Sequence, residues 1–116
     1  MAAIKSNNPI QKKFVMKRGA DFDFTFKVKQ NLTTAKDTTG WTASLVIKDK
    51  ANGTVYATLE IGSGITHTAA SGQFAVHIDN SAVDAYTFST AEYSFYLTEA
   101  GGATKCPLYG DIEIID

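Results

Sequence analysis

Asp21-Phe22-Asp23-Phe24-Thr25-Phe26-Lys27-Val28-Lys29-Gln30 is the stretch that decides the fold of this chain. Phe22, Phe24, Phe26 and Val28 alternate with Asp23, Thr25, Lys27 and Lys29. Side chains two apart on an extended backbone share a face, so the stretch reads as a strand with one apolar and one wet side. Ordering it alone costs more conformational entropy than its apolar burial returns. It therefore needs hydrogen-bonded neighbours and a second apolar layer, and it is expected as a central strand of one sheet.

Upstream, Ile10, Lys12, Phe14 and Met16 share one face and Gln11, Lys13, Val15 and Lys17 the other. This weaker alternation suits an edge strand on which lysines discourage stray pairing. Arg18-Gly19-Ala20-Asp21 then predicts a turn, with the two strands it joins as neighbours. Residues 1 to 9 are small and polar and end in Pro9; they predict an N-terminal arm that is loose in isolation and orders on a partner.

Downstream, Asn31 to Gly40 is polar and unpatterned and reads as a loop. Trp41, Ala43, Leu45 and Ile47 form the inward set of the next strand, and Asn52-Gly53 predicts a hairpin turn in which both residues take positive φ. Its second arm sets Val55, Ala57, Leu59 and Ile61 inward and Thr54, Tyr56, Thr58 and Glu60 outward. Gly62-Ser63-Gly64 breaks the pattern before a short strand over 65–68. Phe74, Val76 and Ile78 then face inward with His77 outward. Residues 80–86 lose the two-residue period and predict one helical turn capped by Asn80 or Ser81. Tyr93, Phe95 and Leu97, and after Gly101-Gly102 the set Leu108, Gly110, Ile112 and Ile114, supply the last inward faces.

The pattern predicts an all-β fold: a two-sheet antiparallel β-sandwich, Ig-like, of about seven strands with one short helical turn near 80–86. A small closed barrel is the alternative. The length of 116 residues suits one domain, residues 10–116 behind the arm 1–9.

The formal charge of −1 conceals an uneven distribution. Residues 1–50 hold ten of the eleven Lys and Arg against four Asp, and residues 51–116 hold Lys105 alone against eight acids. Either the molecule has a positive and a negative side suited to head-to-tail packing, or strands of the two halves interleave and their charges pair; the second is preferred. The lone Cys106 excludes an internal disulfide framework. The N-terminus lacks the apolar core of a secretion signal, and no run approaches the roughly 18 apolar residues of a membrane helix. Synthesis and retention in the cytoplasm are expected unless the protein leaves inside a larger particle.

No constellation for chemistry stands out. His67 and His77 lack companions at metal-ligand spacing. No serine sits in a Gly-x-Ser-x-Gly elbow, and Gly62-Ser63-Gly64 lacks the lysine and helix of a phosphate loop. Asp21 and Asp23 share a strand face but read as solvated acids beside nearby cations. No enzymatic activity, cofactor or metal is expected. The first twenty residues hold five basic groups and no acid. A phosphate-binding strip would want more arginine and stacking aromatics, so an acidic protein surface is a better partner than nucleic acid. Val15, Val46, Tyr56, Tyr96, Tyr109 and Ile115 are expected to point outward. The expected interface combines Lys5, Lys12 and Lys13 with Tyr56, Tyr96 and Tyr109.

The order of motifs carries a resemblance. Phe14-Val15-Met16-Lys17-Arg18-Gly19-Ala20-Asp21-Phe22-Asp23-Phe24, then Gly40-Trp41-Thr42-Ala43, Gly72-Gln73-Phe74, Ala82-Val83-Asp84-Ala85-Tyr86, Glu92-Tyr93-Ser94-Phe95-Tyr96-Leu97 and Gly110-Asp111-Ile112-Glu113-Ile114 resemble small tailed-phage virion proteins. The likeness includes the β-sandwich domain at the N-terminus of phage upper baseplate proteins and spans most of residues 14 to 115. Ala20 separates Gly19 from Asp21, so the integrin-type Arg-Gly-Asp tripeptide is absent. The resemblance implies a non-enzymatic structural subunit present in many copies in a capsid, neck, tail or baseplate, made in the host cytoplasm and bound to other virion proteins. The rival expectation is a carbohydrate-binding module of a particle surface or fibre, in which tyrosines stack on sugar rings.

Overall fold

A computed structural model describes residues 10–29, 34 and 36–116, together with the backbone of residues 2–4. The fold is all-β, as expected. Its strands are β1 (Ala2–Ile4), β2 (Ile10–Gln11), β3 (Phe14–Lys17), β4 (Phe22–Val28), β5 (Thr42–Lys48), β6 (Val55–Ile61), β7 (Gly64–Thr68), β8 (Gln73–Ile78), β9 (Thr90–Thr98) and β10 (Thr104–Ile115). One short helix, α1 (Asn80–Ala85), falls where the period of two was lost. No helix among the described residues is long and apolar enough to cross a membrane.

These ten strands join in one hydrogen-bonded sheet rather than about seven in two separate sheets. Its order is β1-β4-β8-β7-β6-β5-β9-β10-β2, with β3 also paired to β10. The sheet curls into a half-barrel. Continuity comes from the Gly62-Ser63-Gly64 corner, where β6 bends into β7 and Glu60 and Ser63 exchange backbone hydrogen bonds of 3.0 and 2.8 Å. At Gly64, with φ +98°, a Cβ would sit 2.5 Å from Leu59 Cδ2, so the corner requires glycine.

The curl buries the apolar faces read from the sequence. Phe26 and Phe95 meet at a centroid distance of 5.2 Å, and Phe14 lies 5.0 Å from Phe22, 4.9 Å from Phe24 and 4.1 Å from Tyr93. Leu45, Ile47, Phe74, Val76, Leu97, Leu108 and Ile112 fill the core between them. Inward positions of β5, β8, β9 and β10 are as predicted, but Val55 and Ile61 on β6 are exposed.

β5 and β6 pair as the predicted hairpin, but two neighbour relations and the geometry of one turn depart from expectation. The strands before and after Arg18-Gly19-Ala20-Asp21 do not pair: β3 runs parallel to β10, from Phe14↔Ile112 to Lys17↔Ile115, while β4 pairs with β8. The turn thus carries the chain across the core, and the Phe14 ring meets Phe22 and Phe24 at tilted angles of 48° and 46°. β4 is also not deep within the sheet, since β1 covers only its Phe26–Val28 end on the other side. At the predicted hairpin, Gly53 has φ +74° but Asn52 does not adopt positive φ. The Asp49 carboxylate instead accepts from the N–H groups of Ala51 and Asn52 at 2.6 and 3.2 Å and shapes a longer loop.

The segment between β2 and β3 crosses β10 at Gly110, where any Cβ would collide with the Lys12 carbonyl. Lys12 N–H donates to the Tyr109 carbonyl at 2.9 Å, and the Tyr93 hydroxyl donates to the Lys12 carbonyl. Tyr93, Gly110 and Lys12 together fasten the chain start to the sheet.

Candidate interaction surface

The outer face of β5, β9 and β10 carries most of the outward set expected from the sequence. Cross-strand pairing sets Thr58, Val46, Ser94, Tyr109 and Gln11 in one row, and Glu60, Ser44 and Tyr96 in the next. Tyr96 and Tyr109 are therefore diagonal neighbours beside Val46. Further along β10 and β3, Val15 and Ile115 are 49 % and 40 % exposed. An acidic band of Glu92, Asp111 and Glu113 lies between the two apolar ends, and Lys13 and Lys50 partly neutralise it, 2.6 Å from Glu113 and 3.1 Å from Asp111. The Glu113 carboxylate holds the Lys13 ammonium above its ordinary pKa.

Tyr56 leaves this face. The register shift between Ile47 and Lys48 gives β6 one extra residue, so Lys48 pairs with Val55 where Ile47 pairs with Ala57. The Tyr56 ring thereby turns to stack on Phe88 at 4.5 Å, and Tyr86 stacks on Phe88 at 5.0 Å. Its hydroxyl donates to Asp49 Oδ2 at 2.8 Å, which lowers the Asp49 pKa and raises that of the tyrosine. Lys12 and Lys13 flank this surface at the start of β3; Lys5 and most of the predicted arm lie outside the described residues.

The charge asymmetry is relieved in part by pairing between the halves of the chain. Lys13–Glu113, Lys50–Asp111 and Arg18–Asp116 each join a basic residue of the first half to an acid of the second.

No family model matches this chain, and no curated protein does.

A second polar region gathers around α1. Asp21 Oδ1 accepts the Asn80 N–H at 2.7 Å, so the first turn is capped from the Arg18–Asp21 turn; the N-cap residue is Asp79, whose side chain makes no cap bond, and not Asn80 or Ser81. Asp84 Oδ1 accepts the Gly19 N–H at 2.8 Å. Arg18 Nη1 donates to the carbonyls of Val83 and Tyr86, each at 3.1 Å, and Arg18 Nε is 2.9 Å from Asp116. The turn that the sequence singled out is therefore a clamp gripping both ends of one helix.

Beside the clamp, His77 Nδ1 lies 2.6 Å from Asp23 and Nε2 lies 2.7 Å from Asp79. Carboxylates only accept, so both nitrogens carry protons. Asp23 first, then Asp79, raises the histidine to about 9. Asp21, His77 and Asp79 offer ligand atoms within 4.8 Å of one another. As arranged, however, the ring is an imidazolium bridge without a free lone pair for a cation. Its sequence signal was Asp21-x-Asp23 facing the outward His77, a juxtaposition that only the β4–β8 register creates. Between this bridge, α1 and β6 runs an open groove of ≈290 Å³, with Ala57, Leu59, Ile78, Ala82 and Tyr86 at its base and His77 and Asp79 on its rim.

His67 is different: its ring stacks on Phe74 at 4.4 Å, Nε2 lies 2.8 Å from Thr38 Oγ1, and burial lowers its pKa. It anchors the loop before β5. Cys106 is half-buried, with its thiol 3.5 Å from the Leu108 carbonyl.

Proposed function

We propose that this chain is a structural subunit of a tailed-phage virion, present in several copies and assembling through protein–protein contacts. On this reading the two facing halves of the curled sheet correspond to the layers of an Ig-like sandwich. The observation that carries the reading is the outer face of β5, β9 and β10, where Tyr96 is a diagonal neighbour of both Val46 and Tyr109, and Val15 and Ile115 add exposed apolar surface further along. Tyrosines with aliphatic neighbours on a rigid sheet bury large area at small entropic cost, the usual anchor of a protein interface. The resemblance of the motifs between Phe14 and Ile114 to small virion proteins supports the setting.

Mass spectrometry of particles purified from the native source tests the proposal. The protein is expected in the particle fraction at a stoichiometry of several copies per particle; its absence from intact particles refutes the virion role. A positive glycan array in a chain lacking from particles would instead favour the carbohydrate-binding alternative.

A further inference from the structure

The curled sheet leaves two strand edges without a neighbour, and they lie on the same open side. β3 pairs only with β10, and β4, beyond its pairing with β8, is covered by β1 only at Phe26–Val28. The Phe14 ring on β3 lies 5.0 and 4.9 Å from Phe22 and Phe24 on β4, so the two strands face each other across the core and their free edges run side by side. Arg18 N–H donates to the Ile115 carbonyl on the β10 side, and Val28 N–H to the Gly72 carbonyl on the β8 side, each at 2.9 Å. Backbone amides alternate between the two sides of a strand. Val15 on β3 and Asp23 on β4 therefore aim N–H and C=O away from the sheet, where no strand among the described residues meets them.

The side chains on the outer face of these two edges are opposite in charge. Lys13, Val15 and Lys17 line β3, and Asp21, Asp23 and Thr25 line the start of β4. Lys17 is exposed and has no ion-pair partner among the described residues, while Lys13 is held by Glu113. Asp21 accepts an uncharged N–H, from Asn80, and Asp23 shares the one cation of His77 with Asp79, so the β4 edge keeps net negative charge. Two β3 edges brought together centre on Val15 and set lysine against lysine. Two β4 edges, over the part that β1 leaves free, set aspartate against aspartate. Only β3 against β4 matches charge to charge.

We propose that β3 of one copy pairs antiparallel with the free edge of β4 of a second copy, and β4 of the first with β3 of the second. The Arg18–Asp21 turn reverses the chain between the two strands, so a two-fold axis running along them makes both pairs at once. Val15 and Asp23 of the second copy exchange their two free backbone hydrogen bonds. Lys17 then faces Asp21, Lys13 faces Thr25, and Asp23 lies diagonal to both lysines. On the inner side Phe14 comes opposite Phe24 and Met16 opposite Phe22, which covers the half-buried rings of Phe22 and Phe24. β1 keeps its place on Phe26–Val28. The contact closes as a dimer in which the curled sheets join by strand addition at both edges. It requires only a second copy of this chain and does not depend on the virion role.

Sedimentation velocity of the full-length protein over a concentration series, with amide exchange followed by nuclear magnetic resonance at the two ends of the series, tests it. Wild type is expected to dimerise, and the N–H groups of Val15 and Asp23 to gain protection as the dimer fills. Val15→Pro deletes an N–H that bonds nothing in its own sheet, so β3 keeps its seat on β10 while a further strand is refused. Lys17→Glu sets a carboxylate against Asp21 of the second copy and, since Lys17 is exposed, makes no demand on the fold. Each substitution is expected to weaken dimerisation at least about tenfold, and Tyr96→Ser/Tyr109→Ser to leave it unchanged. A wild type that stays monomeric throughout overturns the edge contact, as does a dimer in which the Val15 and Asp23 amides exchange as fast as in the monomer. Val15→Pro and Lys17→Glu proteins that associate like wild type, beside a monomeric Tyr96→Ser/Tyr109→Ser, overturn it in favour of the tyrosine face. Detection of the protein in particles is read separately from every one of these results, so the dimer and the virion role fail independently.

Discussion

Arg18 donates through Nη1 to the carbonyl of Val83 at 3.1 Å, across 65 residues of sequence. That carbonyl, which also accepts the Tyr86 N–H at 3.2 Å, and those of Asp84 and Tyr86 lie at the end of α1, and the guanidinium donates to all three as a cationic cap. A helix of six residues cannot persist on its own propensity. It is held by Arg18 at one end and Asp21 at the other.

Replacing Arg18 with Ala is expected to destabilise the fold by about 2–4 kcal/mol, since several charge-assisted bonds are lost and part-buried carbonyls remain. Arg18→Lys keeps the charge without the fork and should retain less than half of that contribution. Urea denaturation followed by circular dichroism measures both.

Gly110→Ala is expected to cost at least about 2 kcal/mol, because the added methyl meets the Lys12 carbonyl and must push the β2–β3 crossing off the sheet. Amide exchange should show the N–H of Lys12 losing protection before the core of β9 and β10 does.

Most strand faces and the β5–β6 hairpin were legible in the sequence, while most of the longer-range strand partners were not. Period-two alternation placed Phe26, Leu45, Phe74, Phe95 and Ile112 inward, because burial acts residue by residue. Pairing depends on which edges meet after the chain curls. Arg18-Gly19-Ala20-Asp21 has the composition of a hairpin turn but connects opposite sides of the core, a choice made by the parallel seat of β3 on β10. Tyr56 was misplaced for a local reason: one extra residue in β6 reverses its face. The imidazolium bridge was invisible because Asp23 and His77 are 54 residues apart and become neighbours only through the β4–β8 register.

Stability should peak near neutral pH, and the two histidines account for its two flanks. The folded-state pKa of His77 is raised from 6.5 to about 9, so its contribution is fully present below pH 6.5 and is lost between 6.5 and about 9. That of His67 is lowered by burial, so its contribution is present above 6.5 and declines as pH falls through its folded value. Urea midpoints from pH 5 to 9.5 should fall on both sides, and His77→Gln should flatten the alkaline limb alone.

Thr38→Val removes the hydroxyl that bridges His67 Nε2 at 2.8 Å and the Ala69 carbonyl at 3.3 Å. Thr38 is fully buried, so an expected loss of about 1–2 kcal/mol should appear in thermal unfolding. His67 would then titrate differently, which nuclear magnetic resonance of the ring reads directly.

The assembly role makes its sharpest claim about Tyr96 and Tyr109. Hydroxyl-radical footprinting of the isolated protein and of intact particles compares these rings, with Tyr56, already stacked on Phe88, as the internal reference. Strong protection of Tyr96 and Tyr109 in the particle is expected, with Tyr56 unchanged. Equal labelling of Tyr96 and Tyr109 in both states would contradict it.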